Sequence, residues 1–128
     1  MRFPDKLDVL AVHARLIAET GGSNGIRDEG LLESALTAAE NRFTYENADL
    51  IACAATYAYH LSQAHAFVDG NKRLAAAITE TFLLSNGCEL LMDDEGVVKL
   101  FLDIAAGVLT RDAAEELLRR NVGKGKSD

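Results

Sequence analysis

Between Leu50 and Ala64 apolar residues fall on nearly every side of a helical projection. A helix of that kind has no face to give to water, so the rest of the chain has to be built around it. Its longest apolar run, residues 50–61, contains His60 and is too short to cross a bilayer, which leaves a central buried helix opening at Asn47 or Ala48 and running to about Ala64. A first helix is predicted over residues 5–20, with Leu7, Leu10, Ala14 and Ile17 on one face and a stop at Gly21-Gly22. Residues 21–27 form a loop. Asp28 then caps a second helix to about Glu40, with Leu31, Leu32, Ala35 and Ala39 as its stripe, and the polar residues 41–46 are expected to be irregular. A helix over residues 71–85 stops at Asn86-Gly87. Residues 88–92 form a short strand or an extended run. Asp93-Asp94 caps a helix to about Gly107, Thr110 caps a last one through about Asn121, and residues 123–128 are expected to be a disordered tail.

No stretch alternates apolar and polar for long, so strand signals are weak and the chain reads as an all-α bundle of about six helices in one domain, residues 1–122. At 128 residues it buries a core without disulfides or metals. Cys53 lies in the central apolar run and reads as a buried thiol, and Cys88 is not at metal-ligand spacing from it. A net charge of −7 disfavours nucleic-acid or anionic-membrane partners. The first residues lack the apolar core of a signal peptide, and a cytoplasmic location is expected.

The chemistry concentrates in one run, His65-Ala66-Phe67-Val68-Asp69-Gly70-Asn71-Lys72-Arg73. A turn at Gly70 leads into a helix start, where unpaired N–H groups and the positive dipole end make a natural anion site. Lys72 and Arg73 oppose that dipole unless an anion such as phosphate lies between them and the helix start. On position alone, His65 reads as a histidine complementing the end of the central helix more readily than as a general base. Asp69 reads as a turn aspartate or as a ligand to Mg²⁺ beside nucleotide phosphates. Asn71 reads as a plain N-cap, a phosphate ligand, or both. Phe67 packs the loop on the core. His60, five residues before His65, points to a different side of the helix, and His13 stands alone. Both read as structural or solvent-facing.

The nine residues resemble the signature of the Fic/Doc family, His-x-Phe-x-Asp/Glu/Asn-Gly/Ala-Asn-x-Arg. The Asn71-Lys72-Arg73 ending is similar to the Doc branch, the death-on-curing toxins of toxin–antitoxin modules. A second stretch, Gly25-Ile-Arg-Asp-Glu-Gly-Leu-Leu-Glu-Ser-Ala-Leu36, is also similar to Doc-like chains, and the likeness extends over most of residues 7–120. The resemblance implies a toxin kinase that moves the γ-phosphate of ATP, with Mg²⁺, to a protein hydroxyl, in the Doc branch a threonine of elongation factor Tu. It makes His65 the general base, Asp69 the metal ligand, and Gly70, Asn71, Lys72 and Arg73 the phosphate cradle. The alternatives are AMP transfer, the common Fic activity, and a non-catalytic nucleotide- or partner-binding module.

Departures from the pattern sharpen the expectation. Fic AMP transferases follow the motif asparagine with glycine and carry a second arginine three residues beyond the first. Here those positions hold Lys72 and Ala76, which favours the reversed, γ-first nucleotide of Doc. Gly70 is the Fic-like choice where Doc has alanine, and Ala66 replaces a proline common in Fic chains. Gln63 stands where Doc-like chains can carry an arginine toward phosphate or substrate. Self-inhibited Fic proteins share Ser/Thr-x-x-x-Glu-Gly/Asn. The residues four before each Glu-Gly/Asn pair here are Gly25, Leu36, Arg42 and Leu91, none with a hydroxyl. Inhibition is therefore expected from a separate antitoxin, docking as a helix in an apolar groove.

Overall fold

A computed structural model describes residues 1–125. It contains six helices: α1 (Lys6–Thr20), α2 (Glu29–Glu46), α3 (Leu50–Ala64), α4 (Asn71–Ser85), α5 (Asp94–Ala105) and α6 (Arg111–Asn121). The fold is all-α, as the sequence predicts, with one small addition. Cys88–Leu90 (β1) pairs antiparallel with Val122–Lys124 (β2), Glu89 opposite Gly123. Residues 123–125, expected to be unstructured, are thus held by a ladder that continues to a bond from Gly125 N–H to Gly87 O at 2.9 Å. Residues 126–128 of that expected tail lie outside the described residues.

α3 is the central helix. Every residue from Ala52 to Ala58 is buried, and α2, α4, α5 and α6 all pack against it. Alanine at 52, 54, 55 and 58 keeps the neighbouring helices close, and the larger Tyr57 fills the gap toward Phe82 of α4, ring centroids 5.0 Å apart. α3 opens two or three residues later than its hydropathy suggests. Asn47, in the left-handed conformation at φ 54°, ends α2, and Asp49 caps α3 by accepting from Ala52 N–H at 2.9 Å.

α2 continues through residues 41–46, which the sequence reads as irregular. Tertiary contacts explain the extension. Arg42 Nη1 donates to Ala52 O at 3.1 Å and to Thr56 Oγ1 at 2.9 Å, and Phe43 lies 5.6 Å from the ring of Phe3. The buried stripes also differ by a residue or two from the expected ones. In α1 they are Val9, His13 and Ile17, leaving Leu7 and Ala14 exposed. In α2 they are Leu32, Ala35, Leu36 and Ala39, leaving Leu31 exposed. Among the described residues no helix is long and apolar enough to cross a membrane.

Asp49 also receives both Arg119 guanidinium nitrogens from α6, at 2.7 and 2.9 Å. Arg119 first, and the Ala52 N–H after it, hold the Asp49 carboxyl below the usual carboxylate range. Its contribution to stability is therefore full above about pH 4, the unfolded value, and is lost as pH falls through the lower folded value. Asp49→Ala should cost about 1 kcal/mol from the cap, with only a few tenths more from the solvent-exposed ion pair. Urea titrations at pH 7 and pH 3 check this, because the gap between wild type and variant should narrow at the lower pH.

Candidate active site

The motif begins where α3 ends. His65 closes that helix at φ 49°, ψ 43°, a left-handed conformation that costs a non-glycine residue on the order of 1 kcal/mol. The reversal leaves the His65 side chain exposed and turns the next two residues, Ala66 and Phe67, into the core. Ala66 O then accepts from Arg27 N–H at 2.7 Å and Asp28 N–H at 2.9 Å, while Val68 N–H donates to Gly25 O at 3.1 Å. The second stretch singled out in the sequence, residues 25–36, thus starts as a strap hydrogen-bonded to the motif loop, with Ile26 bridging Phe67.

Asn71 fastens the loop from the other side. Its Oδ1 accepts from Phe67 N–H at 3.0 Å and its Nδ2 donates to Phe67 O at 2.9 Å. Asn71 is therefore not the cap of α4, one of the roles open to it from sequence. Gly70 holds that position at φ 81°, ψ 14°. The amide is engaged with the loop backbone, leaving one of its two protons for a ligand. Phe67 is 2% exposed and packs as expected.

Asp5, Asp28, Asp49, Asp93 and Thr110 cap the other five helices through their side chains. α4 alone, among the described residues, opens with no side-chain cap. Its first N–H groups are left free for something outside the chain. Lys72 and Arg73 are exposed in that first turn. Arg73 Nη2 lies 3.7 Å from Asp69 Oδ1, with both side chains more than 40% exposed, a pair too loose and too hydrated to neutralise either group.

Asp69 is built as an ionised carboxylate. Ser23 N–H donates to Oδ2 at 3.2 Å and Gly70 N–H to Oδ1 at 2.8 Å, and these two bonds, in that order, hold its carboxyl below the usual carboxylate range. Each oxygen keeps a further lone pair, and the group is about half exposed. A single such carboxylate suits Mg²⁺, which takes one or two from the protein and fills its shell with water and phosphate oxygens. No group of three or more His, Cys, Asp or Glu among the described residues is arranged to enclose a metal by itself.

Gln63 and His60 lie outside this cluster, and His13 joins it. Gln63 Nε2 donates to Ile104 O at 2.6 Å, tying α3 to the end of α5. His60 Nε2 lies 3.2 Å from Arg111, where burial first and the Arg111 charge second push its pKa down. His13, isolated in sequence, is 3% exposed and reaches the loop. Its Nε2 lies 2.8 Å from Asp69 O and its ring stacks on Phe67 at 3.7 Å. The one sequence signal for it was a polar residue four positions from both Val9 and Ile17, on the buried face of α1.

Gly22 is where the loop and the motif meet most tightly. A Cβ there would stand 2.5 Å from Asp69 Oδ2. Gly22→Ala should displace the carboxylate from Ser23 N–H and raise the Asp69 pKa toward the ordinary carboxylate range. Carbon-13 NMR titration of the Asp69 carboxyl reads this directly, and an unmoved pKa would mean that the loop absorbs the methyl group without disturbing Asp69.

Comparison with known proteins agrees with this architecture. The model of the Fic/DOC family matches residues 3–83, which span α1 to α4 and contain the entire motif. The chain is 30% identical over 127 residues to the "Protein kinase doc" of Escherichia phage P1, covering 98% of this chain and 100% of that one. It is 40% identical over 96 residues to the "Toxin Doc" of Mycolicibacterium smegmatis (strain ATCC 700084 / mc(2)155), covering 72% of this chain and 71% of that one. With the motif folded into a pinned loop that ends on an uncapped helix, the chain belongs to the Fic/DOC family, and its similarity runs to the Doc toxins.

Proposed function

We propose that this protein is a toxin kinase that transfers the γ-phosphoryl group of ATP to a hydroxyl of a host protein. The observation that carries the reading is the uncapped start of α4, with Lys72 and Arg73 exposed in its first turn and Asp69 ionised beside it. The relative from phage P1, which matches along its full length, bears the name of a protein kinase. Lys72 in place of the glycine of AMP transferases, and Ala76 in place of their second arginine, favour the orientation that exposes the γ-phosphate.

In this reading the N–H groups of α4, the remaining Asn71 amide proton, Lys72 and Arg73 hold the phosphates, Arg73 through two nitrogens and Lys72 as a point charge. Asp69 would hold Mg²⁺, which would supply positive charge to offset that of the phosphates. His65 takes the proton of the incoming hydroxyl as that oxygen bonds to the γ-phosphorus. The bond to the bridging oxygen breaks and ADP leaves. Positioning and charge neutralisation supply most of the rate in such a transfer. By resemblance to the Doc branch, the target is a threonine of elongation factor Tu, a target that would be met in the cytoplasm.

The same reading gives the protein a cognate antitoxin, a segment that docks as an apolar helix. A groove of about 160 Å³ between the first turn of α4 and α5 suits it, lined by Ala76, Val97, Phe101 and Leu102 with Lys72 and Arg73 at its rim. Val98 and Leu102 are 57% and 49% exposed there, a surface that an apolar helix with an acidic residue facing the two cations would cover.

Incubation with bacterial lysate and ATP labelled at either the α or the γ position tests the assignment. Label should reach a protein band at the mass of elongation factor Tu only from γ-labelled ATP. His65→Ala should lose about a hundredfold or more of that transfer, as expected for removal of a general base, with an unchanged thermal melt because the side chain is exposed. Label arriving only from the α position would make the protein an AMP transferase, and full activity in His65→Ala would remove the general-base role.

A further inference from the structure

We propose that His13, a buried residue of α1 far from the motif in sequence, is the positioning residue that sets the Asp69–Gly70 peptide and with it the start of α4. Its catalytic consequence rests on the phosphoryl-transfer reading above, but its effect on the loop does not.

His13 lies between Val9 and Ile17 on the buried face of α1. An aliphatic side chain would satisfy that position, and an imidazole buried without a partner would be costly. Its partner is the motif backbone, with Nε2 2.8 Å from Asp69 O. A carbonyl oxygen only accepts, so Nε2 carries the proton and donates. The ring also stacks on Phe67, 3.7 Å between centroids at 18°. One side chain thus holds both ends of the turn. Among the described residues it is the one side chain from outside residues 65–73 that hydrogen-bonds the motif backbone.

What it holds is the peptide on which the site depends. In a trans peptide the carbonyl and the following N–H point in opposite directions. Fixing Asp69 O toward α1 therefore directs Gly70 N–H away from it, where that group meets Asp69 Oδ1 at 2.8 Å. Gly70 follows at φ 81°, and its carbonyl accepts from Leu74 N–H at 2.9 Å as the first bond of α4. The space around Gly70 is closed by the same helix, since a Cβ there would meet Ile17 Cδ1 at 3.1 Å and His13 Nε2 at 3.6 Å. Without the His13 bond, no side chain from outside the motif holds this peptide, and its orientation is less tightly set. The orientation of the Asp69 carboxylate and of the first α4 N–H groups would then be less tightly set as well.

Two variants separate the two contacts. His13→Phe keeps the ring and loses the donor, while His13→Gln loses the ring and keeps a donor of similar reach. Amide hydrogen exchange at Gly70 and Ser23 is compared with exchange in the α3 core, alongside the thermal melt, kcat and KM for Mg²⁺·ATP. In His13→Phe, exchange at Gly70 and Ser23 should rise about tenfold or more with α3 unchanged, as for loss of one buried hydrogen bond. Its kcat should fall by a similar factor, and His13→Gln should recover both in part. Should His13→Phe not fold, His13→Met, without a donor but flexible enough to fill the space, takes its place. Unchanged exchange at Gly70 and Ser23, or exchange that rises equally in α3, would overturn the proposal. If the wild-type protein transfers no phosphoryl group, the kinase reading fails, and the exchange data still decide the role of His13.

Discussion

Alanines at 52, 54, 55 and 58 determine how closely the other helices approach α3, and most of the structure follows from that distance. With so little side chain in the way, α2, α4, α5 and α6 all reach the same central helix. Such close packing leaves little room for α3 to shift along its axis, so the point at which it ends is fixed. That end is His65 in its left-handed conformation. A bulkier residue on α3 would push neighbours apart at the core and would also move the start of the motif loop. Stability and the site are thereby coupled through one helix.

The loop itself is pinned from several directions. The strap from residues 25–28 holds Ala66 and Val68, Asn71 holds Phe67, and Ser23 with His13 holds Asp69. These bonds fix the loop in place and leave unsatisfied the first N–H groups of α4. The other five helices show that capping is the rule in this chain, so the exception gains meaning from its surroundings. In a protein of net charge −7, the uncapped helix end with Lys72 and Arg73 is a local reversal of sign, which favours a compact anion over an extended polyanion.

The sequence reveals helices where hydrophobic periodicity and a capping residue coincide. The bounds of α4 and the caps at Asp28 and Thr110 match the expectation, because local chemistry decides them. Residues 41–46 do not, because their helix depends on Arg42 reaching α3 and on Phe43 meeting Phe3, contacts that composition does not encode. The β2 strand is hidden for the same reason, since three residues that include Gly123 and lead into Gly125 carry no strand signal until β1 is placed beside them. In the site, the contiguous motif is legible and its long-range supports are not. Asn71 looks like a cap until the fold brings Phe67 back to it, and His13 looks incidental until α1 packs against the loop 56 residues away.

A nucleotide whose phosphates sit on the bare start of α4 would perturb the N–H groups of that turn. Backbone amide NMR shifts during titration with Mg²⁺·ATP test this most directly, because they report on the N–H groups themselves and require neither turnover nor a target protein. The largest saturable shifts should fall on Asn71, Lys72 and Arg73, with smaller ones at Asp69 and Gly70. Saturable binding that leaves those amides unmoved, or that concentrates its shifts at another helix, would contradict it.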